Sequence, residues 1–224
     1  MEFTEFIRSV ENELLKPLPG KDAQLQMASM RRLLEFTDLL KKENGIKSSV
    51  LILLYPSNQD NDIFLVLIQR PKYDGIHSGQ ISLPGGRSEP ADANPEATAI
   101  RETHEEIGID AEKIKIIGSL TELYIPPSNY LVLPFVGYTI EKPEFHNEPR
   151  EVESIIELRI KDLMDDDRIV YKDIYVNQGL SIYGPCFETD DCTIWGATAM
   201  ILNEFKEILR RSLGDQNKNS INAS

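Results

Sequence analysis

The sequence predicts an α+β protein in which helices at both ends of the chain flank a β-rich middle. Apolar residues recur at intervals of three and four in residues 3–16 and again in 194–213, which is typical of amphipathic helices. Two apolar runs rich in β-branched residues, 50–55 and 63–68, are separated by a polar turn and indicate paired strands. We therefore expect one main domain with an N-terminal helical extension.

The same patterns define the remaining elements. The predicted helices cover residues 3–16, about 22–42, 94–108 and 194–213. The predicted strands cover 50–55, 63–68, 81–83, 114–120, 131–140, 155–160 and two short stretches within 169–183. We expect residues 1–44 to form a helical extension packed on the core, 45–213 to form the main domain, and the polar segment 214–224 to be a disordered tail.

Composition excludes several classes of function. The 224 residues are 41% hydrophobic and 27% charged, which is ordinary for a globular domain. A formal net charge of −13 argues against non-specific nucleic-acid binding and against adhesion to anionic membranes. No apolar run approaches the ~18 residues of a membrane span, and no signal-peptide pattern opens the chain. With only Cys186 and Cys192, expected as buried free thiols, a cytoplasmic location is the expectation.

The helix predicted at 94–108 has clear sequence boundaries. Asn94 is a favourable N-cap, Pro95 suits the first helical position, and Gly108 can end the helix. Its apolar stripe, expected to face the core, consists of Ala97, Ile100, His104 and Ile107.

This helix also carries a cluster of carboxylates. Glu102 lies three residues before Glu105 and four before Glu106, so the three side chains are predicted to project from about the same side. Such a cluster is often only a solvated acidic face. The adjacent Gly85–Gly86 pair and Arg101, placed to brace Glu105, favour the alternative of oxygen ligands for a hard divalent cation.

These residues resemble a known signature. That of the Nudix hydrolases, a glycine, an acidic residue and then Arg-Glu-x-x-Glu-Glu-x-Gly, is matched by Gly86, Asp92, Arg101, Glu102, Glu105, Glu106 and Gly108. Asp92 departs from the usual glutamate, and one extra residue precedes Arg101. The resemblance implies a Nudix-type α/β/α sandwich with a mixed β-sheet. It also implies Mg²⁺ or Mn²⁺ bound by the Gly85 carbonyl and the three helical glutamates.

A second motif lies just upstream. It resembles the motif of the coenzyme A pyrophosphatase branch and consists of Arg70, His77, Gly79, Gln80 and Leu83-Pro84-Gly85-Gly86. Gly75 stands where that branch usually has an arginine, a basic residue that could hold a coenzyme A phosphate, and Lys72 could substitute for it. His77 could equally be an ordinary hydrogen-bonded loop histidine.

The resemblance implies a metal-dependent hydrolase that cleaves coenzyme A or an acyl derivative to a 4′-phosphopantetheine product and 3′,5′-ADP. Glu102 would also orient or deprotonate the water, Arg101 would hold the carboxylates in register, and Glu151 is the candidate for a further ligand or base. Tyr124 and Tyr130 could stack on a base or simply pack.

Two other functions stay open. One keeps the chemistry but acts on ADP-ribose or another nucleoside diphosphate derivative, and the other is a non-catalytic sensor of a nucleotide metabolite. For the oligomeric state, a homodimer is one expectation.

Overall fold

The computed structural model describes residues 1–30, 32–33, 45–72, 77–176 and 180–221. The helices are α1 (Phe3–Leu14), α2 (Gly20–Leu25), α3 (Pro95–Ile107), α4 (Ile160–Met164) and α5 (Gly196–Ile221). The strands are β1 (Ile46–Pro56), β2 (Ile63–Gln69), β3 (Ile81–Ser82), β4 (Gly85–Arg87), β5 (Lys115–Ser119), β6 (Leu123–Ile125), β7 (Tyr130–Tyr138), β8 (Ser154–Arg159), β9 (Ile169–Val176), β10 (Leu180–Glu188) and β11 (Thr193–Ile194).

The main sheet is mixed and is centred on β1. Strands run in the order β3-β2-β1-β7-β5, with β4 paired to β1, β6 to β7 and β8 to β2. The β1–β7 pair is parallel, whereas β1–β2, β5–β7 and β2–β8 are antiparallel. Strands β9, β10 and β11 form a separate antiparallel sheet.

Successive side chains of β1 point to opposite faces of the main sheet, and a hydrophobic core lies on each face. Ile52 and Leu54 belong to one buried cluster together with residues of α1 and α5. Leu51 and Leu53 belong to a second cluster together with Ile107 of α3. Because helices cover both faces, the expected α/β/α sandwich is confirmed.

Strands β3 and β4 are inserted between β1 and β2 over part of the length of these two strands. The two long strands pair directly only where Leu54–Pro56 meets Ile63–Leu65. Beyond that point, β1 pairs with β4 through Ser48–Val50, and β2 pairs with β3 through Ile68 and Gln69. This insertion brings the glycine turn predicted from the sequence into the centre of the sheet, directly beneath α3.

The N-terminal extension packs on the core, in part through a buried carboxylate. Glu204 of α5 is fully buried and accepts hydrogen bonds from Gln24 Nε2 at 2.8 Å, from the Gly20 N–H at 3.1 Å and from the Thr121 hydroxyl at 2.6 Å. These donors come from α2 and from the loop before β6, so one side chain joins the extension to the main domain.

Two predicted helix ends differ from the structure by many residues. Helix α2 ends at Leu25, well before the predicted end near residue 42, and much of the remaining stretch, residues 31 and 34–44, lies outside the described residues. Helix α5 continues to Ile221, although residues 214–224 were predicted to be a disordered tail. This segment contains no proline, and Gly214 alone is not enough to stop a long helix. No helix in the described ranges is both long and apolar enough to cross a membrane.

Candidate active site

Helix α3 begins and ends where its sequence predicts. The Asn94 side chain accepts a hydrogen bond from the Ala97 N–H at 2.8 Å, and Pro95 occupies the first helical turn. At the other end Gly108 adopts φ 73° and its N–H donates to the His104 carbonyl at 2.9 Å. Local capping chemistry therefore fixes the element that carries the carboxylates.

The buried face of α3 is not the one predicted. Its buried residues are Thr98, Ala99, Thr103, Glu106 and Ile107, so of the expected stripe only Ile107 is fully buried. His104 is exposed. The prediction failed because it assumed that only apolar side chains of the helix would be buried. This helix also buries polar side chains, which form hydrogen bonds inside the protein. The Thr103 hydroxyl, for example, donates to the Ala99 carbonyl at 2.7 Å.

Arg101 connects the acidic residues of the site. Its Nε and Nη2 donate to the two oxygens of Asp92 at 2.9 and 3.1 Å, and Nη2 also donates to the Arg87 carbonyl at 3.0 Å. Its Nη1 lies 2.8 Å from Glu105 and 3.0 Å from Glu102. Hydrogen bonding to Arg101 holds the pKa of Asp92 well below its usual range. The predicted brace on Glu105 is confirmed.

Replacing Arg101 with Lys should therefore impair the site while keeping the charge. An ammonium group cannot reproduce the two-pronged contact with Asp92 and at the same time reach Glu102. We expect kcat to fall about 10- to 100-fold, as for other groups that orient metal ligands. Arg87→Lys is the matched control, because Arg101 uses only the carbonyl of that residue. Equal activity of the two variants would show that Arg101 does not orient the carboxylates.

Glu106 is the most deeply buried of the three helical glutamates. Its side chain is 3% exposed, its Oε2 accepts the Gly85 N–H at 2.8 Å, and its Oε1 lies 4.0 Å from Arg70 Nη2. Burial raises the pKa of Glu106 to about 8, the charges of Glu102 and Glu151 add to this rise, and Arg70 and the Gly85 N–H oppose it. At neutral pH this carboxyl is mainly protonated in the metal-free protein.

Glu102 lies against the glycine turn. A Cβ atom on Gly86 would approach the Glu102 carboxylate to 2.5 Å, so the absence of a side chain at Gly86 makes the space that this carboxylate occupies. Burial raises the pKa of Glu102, Arg101 lowers it, and the charges of Glu105 and Glu151 raise it. Glu105 is the most exposed of the three glutamates. Its side chain is 51% exposed, and it too pairs with Arg101.

The loop that carries Glu151 is held against the end of α3. The His146 N–H donates to the Ile107 carbonyl and the Glu148 N–H to the Glu106 carbonyl, both at 3.0 Å. These bonds satisfy carbonyls that the helix end leaves without partners. Glu151, which is exposed, lies near enough for its charge to act on both Glu102 and Glu106. The structure thus brings Glu151 to the site.

The upstream motif lies at the same edge. The Arg70 N–H donates to the Gln80 carbonyl at 3.0 Å, and His77 Nδ1 lies 2.9 Å from Gln80 Oε1. Burial lowers the pKa of His77, and the Arg70 charge lowers it further. Gly79, at φ 66°, lies beside the stem of the exposed Lys72. Arg70 links this loop to Glu106, whereas Gly75 lies outside the described residues.

The two candidate stacking residues have packing contacts. The Tyr124 hydroxyl donates to Asn129 Oδ1 at 2.8 Å. Tyr130 is partly buried and packs against the larger core cluster. Stacking on a base stays a prediction for both.

The carboxylates of the site are of the chemical type that binds a hard divalent cation, although they do not converge on one point in this structure. Across the described ranges, no three acidic, histidine or cysteine side chains form a ready metal-binding group. The predicted convergence of three glutamates therefore differs from the structure, because Glu105 is held by Arg101 and Glu106 by the Gly85 N–H. Carboxylates are nevertheless the preferred ligands of Mg²⁺ and Mn²⁺. The buried Ser49 hydroxyl near this turn also has no hydrogen-bond partner among the described residues.

Comparison with known proteins decides the family. The NUDIX domain profile matches residues 45–175. The chain belongs to the Nudix family. Nudix hydrolase 15 of Arabidopsis thaliana, described as mitochondrial, is 32% identical over 161 residues, covering 70% of this chain and 56% of that protein. A Nudix hydrolase named NudL, from Yersinia enterocolitica, is 31% identical over 146 residues, covering 64% of this chain and 72% of that protein.

The Nudix fold is also evident in a solved structure. A Nudix hydrolase of M. smegmatis, RenU, superposes with a TM-score of 0.52 at 16% identity, covering 72% of this chain and 84% of that chain. This likeness concerns the fold alone. The chain spans little more than half the length of the plant Nudix hydrolase that it matches.

Proposed function

We propose that this protein is a metal-dependent hydrolase that cleaves the pyrophosphate bond of a nucleoside diphosphate derivative, with coenzyme A or acyl-coenzyme A as the favoured substrate. The observation that carries the proposal is the mutual influence of Glu102, Glu106 and Glu151, each of which stands within electrostatic range of another beside the glycine turn. Carboxylates brought this close in a partly buried site favour a bound cation or proton. Family membership supports the same chemistry.

In this proposal Glu102, Glu105, Glu106 and the Gly85 carbonyl hold one or more Mg²⁺ or Mn²⁺ ions. When bound, the cation neutralises phosphate charge and lowers the pKa of a coordinated water. Glu102 orients and deprotonates the attacking water, and its raised pKa makes it a stronger base than an ordinary glutamate. Arg101 holds Glu102 and Glu105 in register, and Glu151 serves as a further ligand or as an alternative base.

The upstream loop is proposed to bind the substrate. Arg70 has a side chain that is 32% exposed and lies at the edge of the carboxylates, where a guanidinium can pair with a phosphate oxygen. Lys72, His77, Gly79 and Gln80 complete the proposed binding loop, and Tyr124 and Tyr130 are proposed to contact the base. The coenzyme A assignment rests on the resemblance of this motif to that of the coenzyme A pyrophosphatase branch. The alternative substrate, ADP-ribose or another nucleoside diphosphate derivative, is favoured by Gly75 in place of the usual arginine.

Paired kinetics test the substrate. We expect kcat/KM for coenzyme A to exceed that for ADP-ribose by about tenfold or more in the presence of Mg²⁺ or Mn²⁺, because a site built for one set of polar groups rejects a substrate lacking them. Equal rates, or a preference for ADP-ribose, would refute the coenzyme A assignment and leave the diphosphatase chemistry standing. A Glu106→Gln preparation, purified in parallel, controls for contaminating hydrolases.

The non-catalytic alternative has a direct test as well. Cation-dependent turnover of any diphosphate substrate would dismiss a pure sensor, whereas tight nucleotide binding without turnover would favour it. A homodimer and a cytoplasmic location stay predictions, which molecular mass in solution and localisation of the tagged protein would check.

A further inference from the structure

Ser49 is a buried polar residue to which the proposed mechanism assigns no role. It lies in β1, is fully buried, and its hydroxyl has no hydrogen-bond partner among the described residues. A buried hydroxyl without a partner is unfavourable by about 1–3 kcal/mol, so such groups usually serve a bound water, an ion or a functional group.

Strand register shows which way this side chain points. Ser49 is directly opposite Gly86 in the antiparallel β1–β4 pair, and opposed residues project to the same face of a sheet. A Cβ on Gly86 would meet the Glu102 carboxylate, so this is the face on which Glu102 lies. Leu51, two residues further along β1, packs in the same cluster as Ile107 of α3 and confirms the direction.

We propose that Ser49 is a positioning residue for Glu102. Its hydroxyl donates, through a bound water, to the Glu102 carboxylate and thereby fixes the oxygen that Glu102 presents to a divalent cation. This inference rests on the proposed function, because it requires that Glu102 bind the cation. A water-mediated contact suits the geometry, since Ser49 and the Glu102 carboxylate lie on the same face of the sheet around Gly86 and no direct hydrogen bond joins them.

The test compares two adjacent serines in the intact protein. Ser49→Ala removes the hydroxyl beneath Glu102, and Ser48→Ala makes the same change one residue earlier, where β1 faces the opposite side of the sheet. Mn²⁺ alone is the probe, and its dissociation constant is measured by calorimetry or by the loss of the free-ion electron paramagnetic resonance signal. Denaturant unfolding of the metal-free proteins provides the second measurement.

We expect Ser49→Ala to weaken Mn²⁺ binding about tenfold, as other groups that orient metal ligands do, and Ser48→Ala to leave it unchanged. The denaturation midpoint of metal-free Ser49→Ala should change little, because the hydroxyl makes no direct hydrogen bond to another described residue and its loss therefore breaks no direct protein–protein hydrogen bond. Wild-type affinity in Ser49→Ala would overturn the role of Ser49 and leave the proposed function intact. A large fall in the midpoint would overturn it too, since Ser49 would then act mainly by stabilising the sheet. If the wild-type protein itself does not bind Mn²⁺, both proposals fail.

Discussion

Replacing Glu106 with Gln should stabilise the metal-free protein at neutral pH. In the folded protein the pKa of Glu106 is raised from 4.5 to about 8, so between these values the unfolded chain has released a proton that the folded chain keeps. Stability contributed by this carboxyl is therefore complete below about pH 4.5 and is lost as pH rises towards about 8. At pH 7 the loss is about 3 kcal/mol, which the uncharged amide avoids.

Urea unfolding in the presence of a chelator, near pH 5 and near pH 8, measures this effect. The wild-type protein should lose stability across the interval, and Glu106→Gln should lose much less. Glu105→Gln is the matched control, because it makes the same change on the same helix at a half-exposed side chain; we expect it to alter the free energy of unfolding by less than about 1 kcal/mol. An identical pH dependence in wild type and Glu106→Gln would contradict the assignment of the raised pKa to Glu106.

The same substitution should remove most of the activity. A cation that binds Glu106 must displace its proton below about pH 8, so cation affinity should rise with pH in this range and binding should release a proton. The amide introduced by Glu106→Gln offers neither the negative charge nor the titrating proton, and we expect kcat to fall by about 10²- to 10³-fold or more. Calorimetry in buffers of different ionisation enthalpy counts the protons released. A variant that gains stability and loses turnover would show that the carboxyl is kept for function, whereas retained turnover would refute Glu106 as a metal ligand.

The sequence predicts those parts of the fold that depend on local chemistry. Asn94, Pro95 and Gly108 determine the bounds of α3 through groups within a few residues of one another. The two runs at 50–55 and 63–68 became β1 and β2 because β-branched and apolar side chains suit a strand that is buried on both faces. Both signals are contained in short stretches of the chain.

Features that depend on long-range register were not predicted. The carboxylate of Glu106 is buried because β3 and β4 enter between β1 and β2 and present the Gly85 N–H beneath α3, a pairing that no local pattern encodes. Ser49 is of the same kind: two adjacent serines in an apolar strand are visible in the sequence, but only the pairing with Gly86 shows that Ser49 faces Glu102. Sequence patterns therefore predicted which residue types form the site, whereas the burial and the partners of these residues depend on the strand order of the sheet.

Alanine at the two neighbouring glycines should separate folding from catalysis. At Gly85, with φ 143°, an added Cβ would lie 2.3 Å from the Ser49 carbonyl oxygen and 2.5 Å from Val50 Cα, both backbone atoms of the central strand. Neither can move without breaking the β1–β4 pairing, and the backbone angle is itself strained for alanine. We expect Gly85→Ala to lose about 4 kcal/mol of stability or more, or to fail to fold.

Gly86→Ala should behave in the opposite way. The three atoms nearest to its added Cβ all belong to the Glu102 carboxylate, the nearest at 2.5 Å, and that group stands at the end of a flexible side chain. We expect the fold to persist, with a change in unfolding free energy within about 1 kcal/mol, while a displacement of the carboxylate by about 1 Å lowers kcat about 100-fold. Denaturant unfolding and steady-state kinetics on the two variants measure both effects. Full activity in Gly86→Ala would mean that Glu102 does not need its present position, and so would argue against its role as the base. Because the two glycines are adjacent, the contrast would show that the absence of a side chain at Gly85 serves the pairing of β1 with β4, whereas at Gly86 it leaves space for the Glu102 carboxylate.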